Sequence, residues 1–229
     1  SLAGSDGWSS SVFTEYTRFE SDPRLTGQTN GSRAIASAEL TRRWQAPGWF
    51  VQPRARVHAT QYRFDNPLAN GDRSASRVLP TFSLDSGLVF ERNASYFGRG
   101  FVQTLEPRAF FTWTPYRDQS YLPNYDSAIN DFNFASIFSE NVFGGSDRIS
   151  DTRALTLGVS SRLLEPDTGA EVVRLGLAQR YLLRDQNVFL PRAAGLPGGD
   201  PVTDRFSDVL LAARVQWNPR WLVDTNFQY

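Results

Sequence analysis

The sequence offers little for nucleophilic catalysis, because its 229 residues contain a single histidine, His58, and no cysteine. A hydrolase built on a serine and histidine pair would have to use His58 as its base. No serine pattern near His58 supports such a pair. We therefore predict no enzyme, no catalytic residue and no cofactor, and we interpret His58 as a polar side chain on a hydrated surface. A hydrolase is kept as an alternative hypothesis.

Two acidic stretches, at 126–131 and 147–151, raise the question of a cation site. Neither has the spacing of oxygen ligands, with a central glycine and a terminal glutamate, that calcium loops use. We expect these carboxylates to be solvated in loops and to cap turns. We predict no metal ligand.

Arginine is the strongest candidate for binding, and the sequence contains no lysine. A guanidinium group can bind phosphate through two parallel hydrogen bonds, which would suit a phosphorylated glycolipid or another anion. The charged and polar candidates that share one predicted inner face are Arg54, Arg56, His58, Glu106, Arg108, Arg162, Arg174, Arg180 and Arg214. The alternative is a hydrated wall in which acids such as Asp85, Glu91 and Asp208 balance the arginines.

These candidates lie in segments where apolar and polar residues alternate, as they do in β-strands with two different faces. The clearest segment is 49–64, in which the odd positions up to 59 are apolar or proline and the even positions from 52 to 60 are polar. The same pattern recurs at 8–19, 33–44, 78–92, 101–116, 152–164, 171–183, 206–217 and 221–229. The sequence therefore predicts about nine strands, much longer than the roughly five or six residues of an ordinary globular strand.

The connections between these segments alternate between short and long. The short ones are 46–48, 94–100, 165–170 and 218–220, and the long ones are 21–32, 65–77, 117–151 and 185–204. Outer-membrane barrels have short periplasmic turns and long external loops. We predict an all-β fold: an antiparallel transmembrane outer-membrane β-barrel segment with short periplasmic turns and long extracellular loops.

The composition fits a barrel, in which a polar lumen hides an apolar outer face from a hydropathy average. The mean hydropathy is −0.40, although 14% of the residues are aromatic. No segment approaches the ~18 consecutive apolar residues of a membrane helix, and the net charge of zero argues against a nucleic-acid ligand. A soluble β-sandwich capped by aromatic residues is the alternative fold.

Aromatic residues mark the strand ends, as in the two girdles of a membrane barrel. They are Trp8, Phe19, Trp44, Trp49, Phe64, Phe90, Phe101, Trp113, Tyr116, Trp217 and Trp221. The predicted lipid face is nearly free of charge. Its exceptions, Arg63, Arg153 and Glu171, lie at strand ends, where a charge costs only about 0 to 1 kcal/mol.

A group of motifs between residues 105 and 162 resembles the central barrel of the LPS-assembly protein LptD family, also called the organic solvent tolerance protein family. In order, the motifs are Leu105-Glu106-Pro107-Arg108, Pro115-Tyr116-Arg117-Asp118-Gln119-Ser120, Asn124-Tyr125-Asp126-Ser127, Asp131-Phe132 and Phe143-Gly144-Gly145-Ser146-Asp147-Arg148-Ile149. The flanking strands fit this barrel in pattern only. The candidate functional loop residues within these motifs are Tyr116, Arg117, Asp118, Gln119, Asp126, Asp147 and Arg148.

The resemblance implies a very large barrel in the outer membrane of a Gram-negative bacterium. With the plug lipoprotein LptE in its lumen, such a barrel inserts lipopolysaccharide into the outer leaflet. The resemblance also implies contacts with outer-membrane lipid, with the barrel-assembly machinery and, through an N-terminal domain that is not recognisable here, with a periplasmic lipopolysaccharide bridge protein. A general porin or receptor barrel is the alternative function.

The domain organisation predicted is one partial barrel over 1–229, because nine strands is an odd number whereas bacterial single-chain barrels have even numbers. We expect an excerpt from a larger barrel. The alternative is that Tyr229 is the aromatic residue at a genuine barrel terminus. The loop 117–151 is too long to be structureless in a compact domain, so we expect it to be ordered and external. In the family it resembles a loop that caps or enters the lumen. Within it, 134–143 could form a short helical turn with Phe134, Ile137 and Phe138 on one side.

Overall fold

The computed structural model describes residues 2–3, 7–22, 24, 27–96, 98–190, 199–218 and 220–229. Within these ranges the chain forms twelve β-strands and one turn of 3₁₀-helix. The strands are β1 (Leu2–Ala3), β2 (Trp8–Phe19), β3 (Gly31–Arg42), β4 (Trp44–Ala46), β5 (Trp49–Phe64), β6 (Ser74–Leu88), β7 (Phe90–Tyr96), β8 (Arg99–Trp113), β9 (Arg153–Leu164), β10 (Glu171–Leu182), β11 (Leu210–Asn218) and β12 (Trp221–Gln228), and the 3₁₀ turn is Ser136–Phe138.

All twelve strands belong to one antiparallel sheet, in the order β1-β2-β3-β5-β6-β8-β9-β10-β11-β12. The short strands β4 and β7 lie off this path, where β4 continues β3 along β5 and β7 continues β6 along β8. Each long strand thus pairs with the next one in the chain. Among the described residues, β1 and β12 form the two edges of an open sheet.

Two prolines account for the interruptions between β3 and β4 and between β6 and β7. The register carried across the first break places Arg42 opposite Pro53. Across the second it places Leu88 opposite Pro107. Because proline has no backbone N–H, it cannot donate to the neighbouring strand. One backbone hydrogen bond between the strands is missing at each position, and the pairing then resumes in the same register.

The predicted all-β antiparallel fold with nine long strands is confirmed, with β3–β4 and β6–β7 each counted as one interrupted strand. Some boundaries were predicted wrongly. The sixth strand starts at Ser74 rather than at residue 78, because 74–77 pair with 60–63. The eleventh starts at Leu210 rather than at residue 206, because the hydroxyl of Ser207 accepts a hydrogen bond from the Arg180 amide (3.0 Å) where a backbone carbonyl would continue the ladder.

The two faces of the sheet differ in what lies on them. Residues 114–152, which we call the covering loop, lie against one face, which we call the covered face. The opposite, open face carries exposed apolar side chains along every long strand. By register and exposure they include Val12, Leu40, Val57, Val78, Phe82, Leu105, Leu157, Leu175, Leu177, Leu211, Val223 and Phe227.

Charges on the open face are confined to the ends of strands. Arg63 and Arg153 lie near the long-connection ends of β5 and β9, where a charge was expected. The prediction for Glu171 was wrong. A β-bulge between Glu171 and Val173 shifts the register, and the Glu171 carboxylate accepts hydrogen bonds from Arg174 on the covered face.

Exposed aromatic side chains lie near both ends of the strands. Trp8, Trp44 and Trp49 are at the short-connection end, and Tyr16 and Trp113 are near the long-connection end. Phe64 and Phe101, which were predicted to belong to the same girdles, are instead buried. The side chain of Trp217 lies outside the described part of the chain. In the described ranges no helix has the length and apolar character needed to cross a membrane.

A charge placed at the centre of the open face should be poorly tolerated if that face meets acyl chains. We expect Val57→Arg, at an exposed position in β5, to destabilise the folded full-length barrel by about 2 to 4 kcal/mol. Urea unfolding of the protein in phospholipid vesicles measures this directly. Gln61→Arg, on the same face and strand but near its end, is the matched control and should cost only about 0 to 1 kcal/mol. Equal effects of the two substitutions would contradict the assignment of the open face to lipid.

Candidate functional site: the covered face and its loop

The covering loop starts and ends at neighbouring strands, because the amide of Thr114 donates to the carbonyl of Thr152 (2.7 Å). Its own internal pairing is slight, with an isolated bridge between Ile129 and Phe143 and the 3₁₀ turn at Ser136–Phe138. Many of its side chains bond to other residues of the loop, and buried hydrogen bonds from Arg33, Arg77 and Ser83 attach it to the strands beneath. The sheet therefore determines the position of the loop.

Asp147 is the centre of these contacts and is fully buried. Its Oδ1 accepts hydrogen bonds from Nη1 of Arg33 and from the hydroxyl of Tyr62, both at 2.8 Å. Its Oδ2 accepts from the amides of Tyr125 (2.6 Å) and Asp126 (2.8 Å). This carboxylate thus joins two strands to a turn of the loop. The expectation of turn capping is met here, but the expectation of a solvated carboxylate was wrong, because an arginine from β3 neutralises it.

Asp126 binds the same arginine from a second direction. Nη2 of Arg33 donates to Oδ2 of Asp126 at 2.6 Å and also lies 3.1 Å from Glu15 on β2. Burial raises the pKa of Asp126, but the hydrogen bonds from Arg33 and from the amide of Ser146 (3.0 Å) lower it more. The pKa of Asp126 therefore lies well below its ordinary value. Asp126 is therefore ionised at neutral pH in the folded protein.

Arg77 on β6 binds the loop backbone rather than a carboxylate. Nη1 donates to the carbonyl of Asp147 (2.6 Å) and Nη2 to that of Ser146 (2.8 Å). Nη1 also donates to Oε1 of Gln119, whose amide nitrogen in turn donates to the carbonyl of Ile149 (2.8 Å). Gln119 therefore links the two ends of the covering loop above the sheet.

Arg148 closes the loop upon itself. Its Nη2 donates to the carbonyl of Leu122 (2.6 Å) and its Nη1 to that of Pro123 (3.1 Å). Burial lowers the pKa of Arg148. Asp118 caps the adjacent turn, where hydrogen bonds from the amide and hydroxyl of Ser120 lower the pKa of its carboxyl group. Both side chains stabilise the loop internally.

Glu140 is a second buried carboxylate that joins the loop to the sheet. Its Oε1 accepts from Ser83 (2.6 Å) and from Nη1 of Arg54 (3.3 Å), and its Oε2 lies 3.1 Å from Nη1 of Arg56. Arg56 also forms a short ion pair with Glu39 on β3. Two of the candidate arginines are thus held by carboxylates from both the loop and a strand.

Aromatic rings fix the middle of the loop in gaps that glycines leave on the covered face. A Cβ added to Gly158 would lie 2.7 Å from the ring of Phe138. A Cβ added to Gly176 would lie 2.6 Å from the ring of Phe134. Ile137 between them is fully buried. The predicted helical turn with these three apolar residues on one side is confirmed as a 3₁₀ turn packed on β9 and β10. Any larger residue at either glycine would push the rings off the sheet.

Arg180 on β10 is buried below this turn. It donates to the carbonyl of Ile137 and, through Nε, to the hydroxyl of Thr156 (3.3 Å). No carboxylate forms an ion pair with it among the described residues. The carbonyls at the end of the 3₁₀ turn are therefore its acceptors, and its position makes it part of the loop anchor.

The remaining candidate arginines lie nearer the short connections. Of these, Arg108 contacts the covering loop, and the other three pair with acids on strands. Arg162, Arg174 and Arg214 are direct neighbours across β9, β10 and β11. Their acids are Glu106 (2.5 Å), Glu171 (2.6 Å) and Asp224 (4.0 Å), respectively. Arg108 pairs with Asp85 through two hydrogen bonds and has its Cζ 4.3 Å from the ring centre of Phe138. Like charges directly opposite each other destabilise a sheet, so this row needs its acids or another anion.

Of the other predicted residues, His58 lies on the covered face opposite Ser37 and Leu79. Its Nε2 has no hydrogen-bond partner within the described ranges. Tyr116 and Arg117 are exposed at the beginning of the loop. A role in binding for these three residues stays a prediction.

Sequence reasoning missed four residues that hold the loop: Arg33, Tyr62, Arg77 and Glu140. Arg77 was placed in a connection, although it continues the alternation of Leu79, Thr81 and Ser83 on the covered face. That continued alternation was the available signal. Nothing local in the sequence connects Glu140 with β5, because Glu140 is 86 residues from its partner Arg54.

Asp147→Asn should loosen the covering loop, because it leaves Arg33 without one of its two strongest anions in a buried site. Breaking a buried pair costs about 3 to 5 kcal/mol. We expect protease cleavage within 114–152 in the folded full-length protein to become much faster while the strands remain intact. Asp65→Asn removes a carboxylate from the exposed pair with Arg18 and is the control, with an expected cost below about 1 kcal/mol. Unchanged cleavage in Asp147→Asn would show that Asp147 does not hold the loop.

Acid should release the same contacts only at low pH. Because the pKa of Asp126 is lower in the folded protein, its stabilisation is complete above the unfolded value of about 4 and is lost as the pH falls through the folded value. Hydrogen exchange of the Ser146 amide, which donates to Asp126, should therefore show equal protection factors between about pH 7 and pH 5 and lower ones below about pH 4. In Asp126→Asn the protection should be lower throughout and should lose this acid transition. A transition near pH 6 would contradict the assignment.

Comparison of the sequence with known proteins shows the family of this chain. The sequence matches the family model of LptD, described as LPS transport system D, over residues 3–229. A relative from Acidovorax sp. (strain JS42), named LPS-assembly protein LptD, is 58% identical over 228 residues, which cover 100% of this chain and 27% of the relative. A protein of the same name from Polaromonas sp. is 58% identical over 97% of this chain and 26% of its own length.

A more distant relative agrees with these two. The LPS-assembly protein LptD of Aromatoleum aromaticum is 42% identical over 94% of this chain and 26% of its own length. The chain thus spans about a quarter of the length of the curated relatives that it matches. The resemblance inferred from the loop motifs is confirmed, and on a match that extends from residue 3 to residue 229 the chain belongs to the LptD family.

Proposed function

We propose that this chain forms part of the wall of an outer-membrane barrel that assembles lipopolysaccharide into the outer leaflet of a Gram-negative bacterium. Membership of the LptD family supports the process, since the relatives are named LPS-assembly proteins. The contrast between the two faces of the sheet supports the role of this segment. One face is apolar at its centre, and the other concentrates arginines and their acids.

The open face fits contact with lipid acyl chains. Exposed Val57, Val78, Phe82 and Leu157 lie on β5, β6 and β9, and β8, which lies between β6 and β9, places the uncharged Pro107, Ala109 and Phe111 on the same face. Such a surface would be unfavourable in water and is the surface that a barrel presents to a membrane. In this placement the long connections face the outside and the short ones the periplasm.

The covered face fits the lumen, with the covering loop as an ordered external loop folded into it. The loop is held at its outer part by Asp147 and Asp126, and its middle reaches β10 through Phe134. It therefore occupies the lumen near β3 to β10. A solute crossing the barrel would have to pass beside it.

The row of arginines beyond the loop is the part of this lumen that best suits an anionic cargo. Arg174 and Arg214 are each partly exposed, with side-chain exposures of 46% and 44%. Phosphate groups on the saccharide of lipopolysaccharide would be attracted to this row, since guanidinium groups bind phosphate in a bidentate geometry. The plug lipoprotein LptE, the barrel-assembly machinery and the periplasmic bridge protein are the protein partners that this function requires.

A depletion strain tests the proposal. Loss of the full-length protein should reduce lipopolysaccharide at the cell surface, and the complementing wild-type gene should restore it. A complementing double variant, Arg174→Gln with Arg214→Gln, should reach the membrane at the normal level but deliver lipopolysaccharide several-fold more slowly, because two phosphate-binding groups are lost.

Arg18→Gln, in an exposed pair at the long-connection end of β2, is the control and should complement fully. Normal delivery by the double variant would remove the arginine row from the transport path. A depletion strain with normal surface lipopolysaccharide and a loss of solute conductance would instead indicate a general porin.

A further inference from the structure

Arg42, the last residue of β3, lies on the open face at the short-connection end of the sheet. Its guanidinium carbon is 5.0 Å from the ring centre of Trp8 and 4.7 Å from that of Trp44. Both indoles are partly exposed, at 41% and 42%. The cation is therefore held between two aromatic rings at the border of the apolar surface, next to exposed Leu40.

The charge of Arg42 has no counterion in the described part of the chain. No carboxylate forms an ion pair or hydrogen bond with it there, and its Nε is shielded from solvent without a hydrogen-bond partner. Arg18 differs from Arg42 in having a counterion. It lies on the same face at the opposite end of the sheet and binds Asp65 through two hydrogen bonds (3.0 and 2.7 Å). Cation–π contacts compensate for part of the desolvation of Arg42, but they supply no acceptor for its N–H groups.

The backbone fixes both rings before any ligand arrives. Gly7 has a φ of 76° and accepts a hydrogen bond from the amide of Arg43 (2.9 Å), and a Cβ at this position would lie 2.4 Å from the Arg43 carbonyl oxygen. Only glycine fits this approach, which sets Trp8 beside Arg42. Trp44 is fixed by its pairing with Val51 in the β4–β5 hairpin. A ligand would meet an arrangement that is already ordered.

A ligand that complements this cation is anionic and tolerates an apolar, aromatic surrounding. We propose that Arg42, held between Trp8 and Trp44, binds the phosphodiester group of a membrane phospholipid at the short-connection edge of the barrel. The phosphate accepts hydrogen bonds from the Nη groups of Arg42, and the acyl chains continue along the apolar surface that begins at Leu40. The inference depends on the membrane placement proposed above, in which this edge meets the periplasmic leaflet.

Native mass spectrometry of the full-length barrel, delipidated in mild detergent and titrated with phosphatidylglycerol, tests the site. Arg42→Gln should weaken retention of the most tightly bound lipid by about tenfold, since a charge-assisted hydrogen-bonded contact is lost. Arg42→Lys should weaken it less, because the charge remains without the planar stacking surface. Trp8→Leu should also weaken it and provides a second variant if Arg42→Gln folds poorly.

Arg63→Gln is the matched control, because Arg63 lies on the same face near the opposite end of the sheet. It should leave the phosphatidylglycerol titration unchanged. Equal retention by Arg42→Gln and the wild type would overturn the proposal. Displacement of the lipid by inorganic phosphate, with the same dependence on Arg42, would also overturn it by showing a site for the free ion.

Flotation of each protein with phospholipid vesicles separates this result from the membrane placement itself. If the wild type and Arg42→Gln both float with the vesicles and retain the lipid equally, only the Arg42 site is contradicted. Failure of the wild-type barrel to float would instead contradict the proposed function.

Discussion

The alternation of side chains along a strand is the constraint on which the rest of this structure depends. A sheet with acyl chains on one side has to place every mid-strand charge on the other. Here that rule sends Arg54, Arg56, Arg108 and Arg162 to the covered face. So many guanidinium groups on one surface require acids. Some come from neighbouring strands, and others come from the loop that folds over them.

The covering loop contributes the buried carboxylates Asp147 and Glu140 and the partly buried Asp126, and these determine where it lies. Buried ion pairs are weak evidence of stability, because desolvation cancels much of the attraction. Their geometry is specific, however. Asp147 accepts four hydrogen bonds that can be made together only when β3, β5 and the turn at 125–126 meet. The rings of Phe138 and Phe134, packed against Gly158 and Gly176, also fix the position of the loop through apolar contacts.

The sequence was sufficient for the strands, because alternation is a local signal, and β2 and β5 have the predicted ends. It was also sufficient for the arginine-rich face, which follows from the same period of two. The loop anchor could not be predicted in this way. Arg33 and Asp147 are 114 residues apart, and no local pattern relates them. Glu171 shows the other limit, since a β-bulge changes the face of a residue without any change in the alternation that precedes it.

The proposed placement requires each strand to separate lipid from the lumen, with side chains alternating between the two sides. Single spin-labelled cysteines can be placed through 54–59 of β5 in a full-length barrel whose other cysteines, if any, are replaced, and the 229 residues themselves contain none. Collision with dissolved oxygen, which partitions into the bilayer, should be high at the odd positions 55, 57 and 59. Labels at 54, 56 and 58 should instead be shielded from oxygen in the bilayer. Equal accessibility along the strand, or high accessibility at the even positions, would contradict this placement of the sheet.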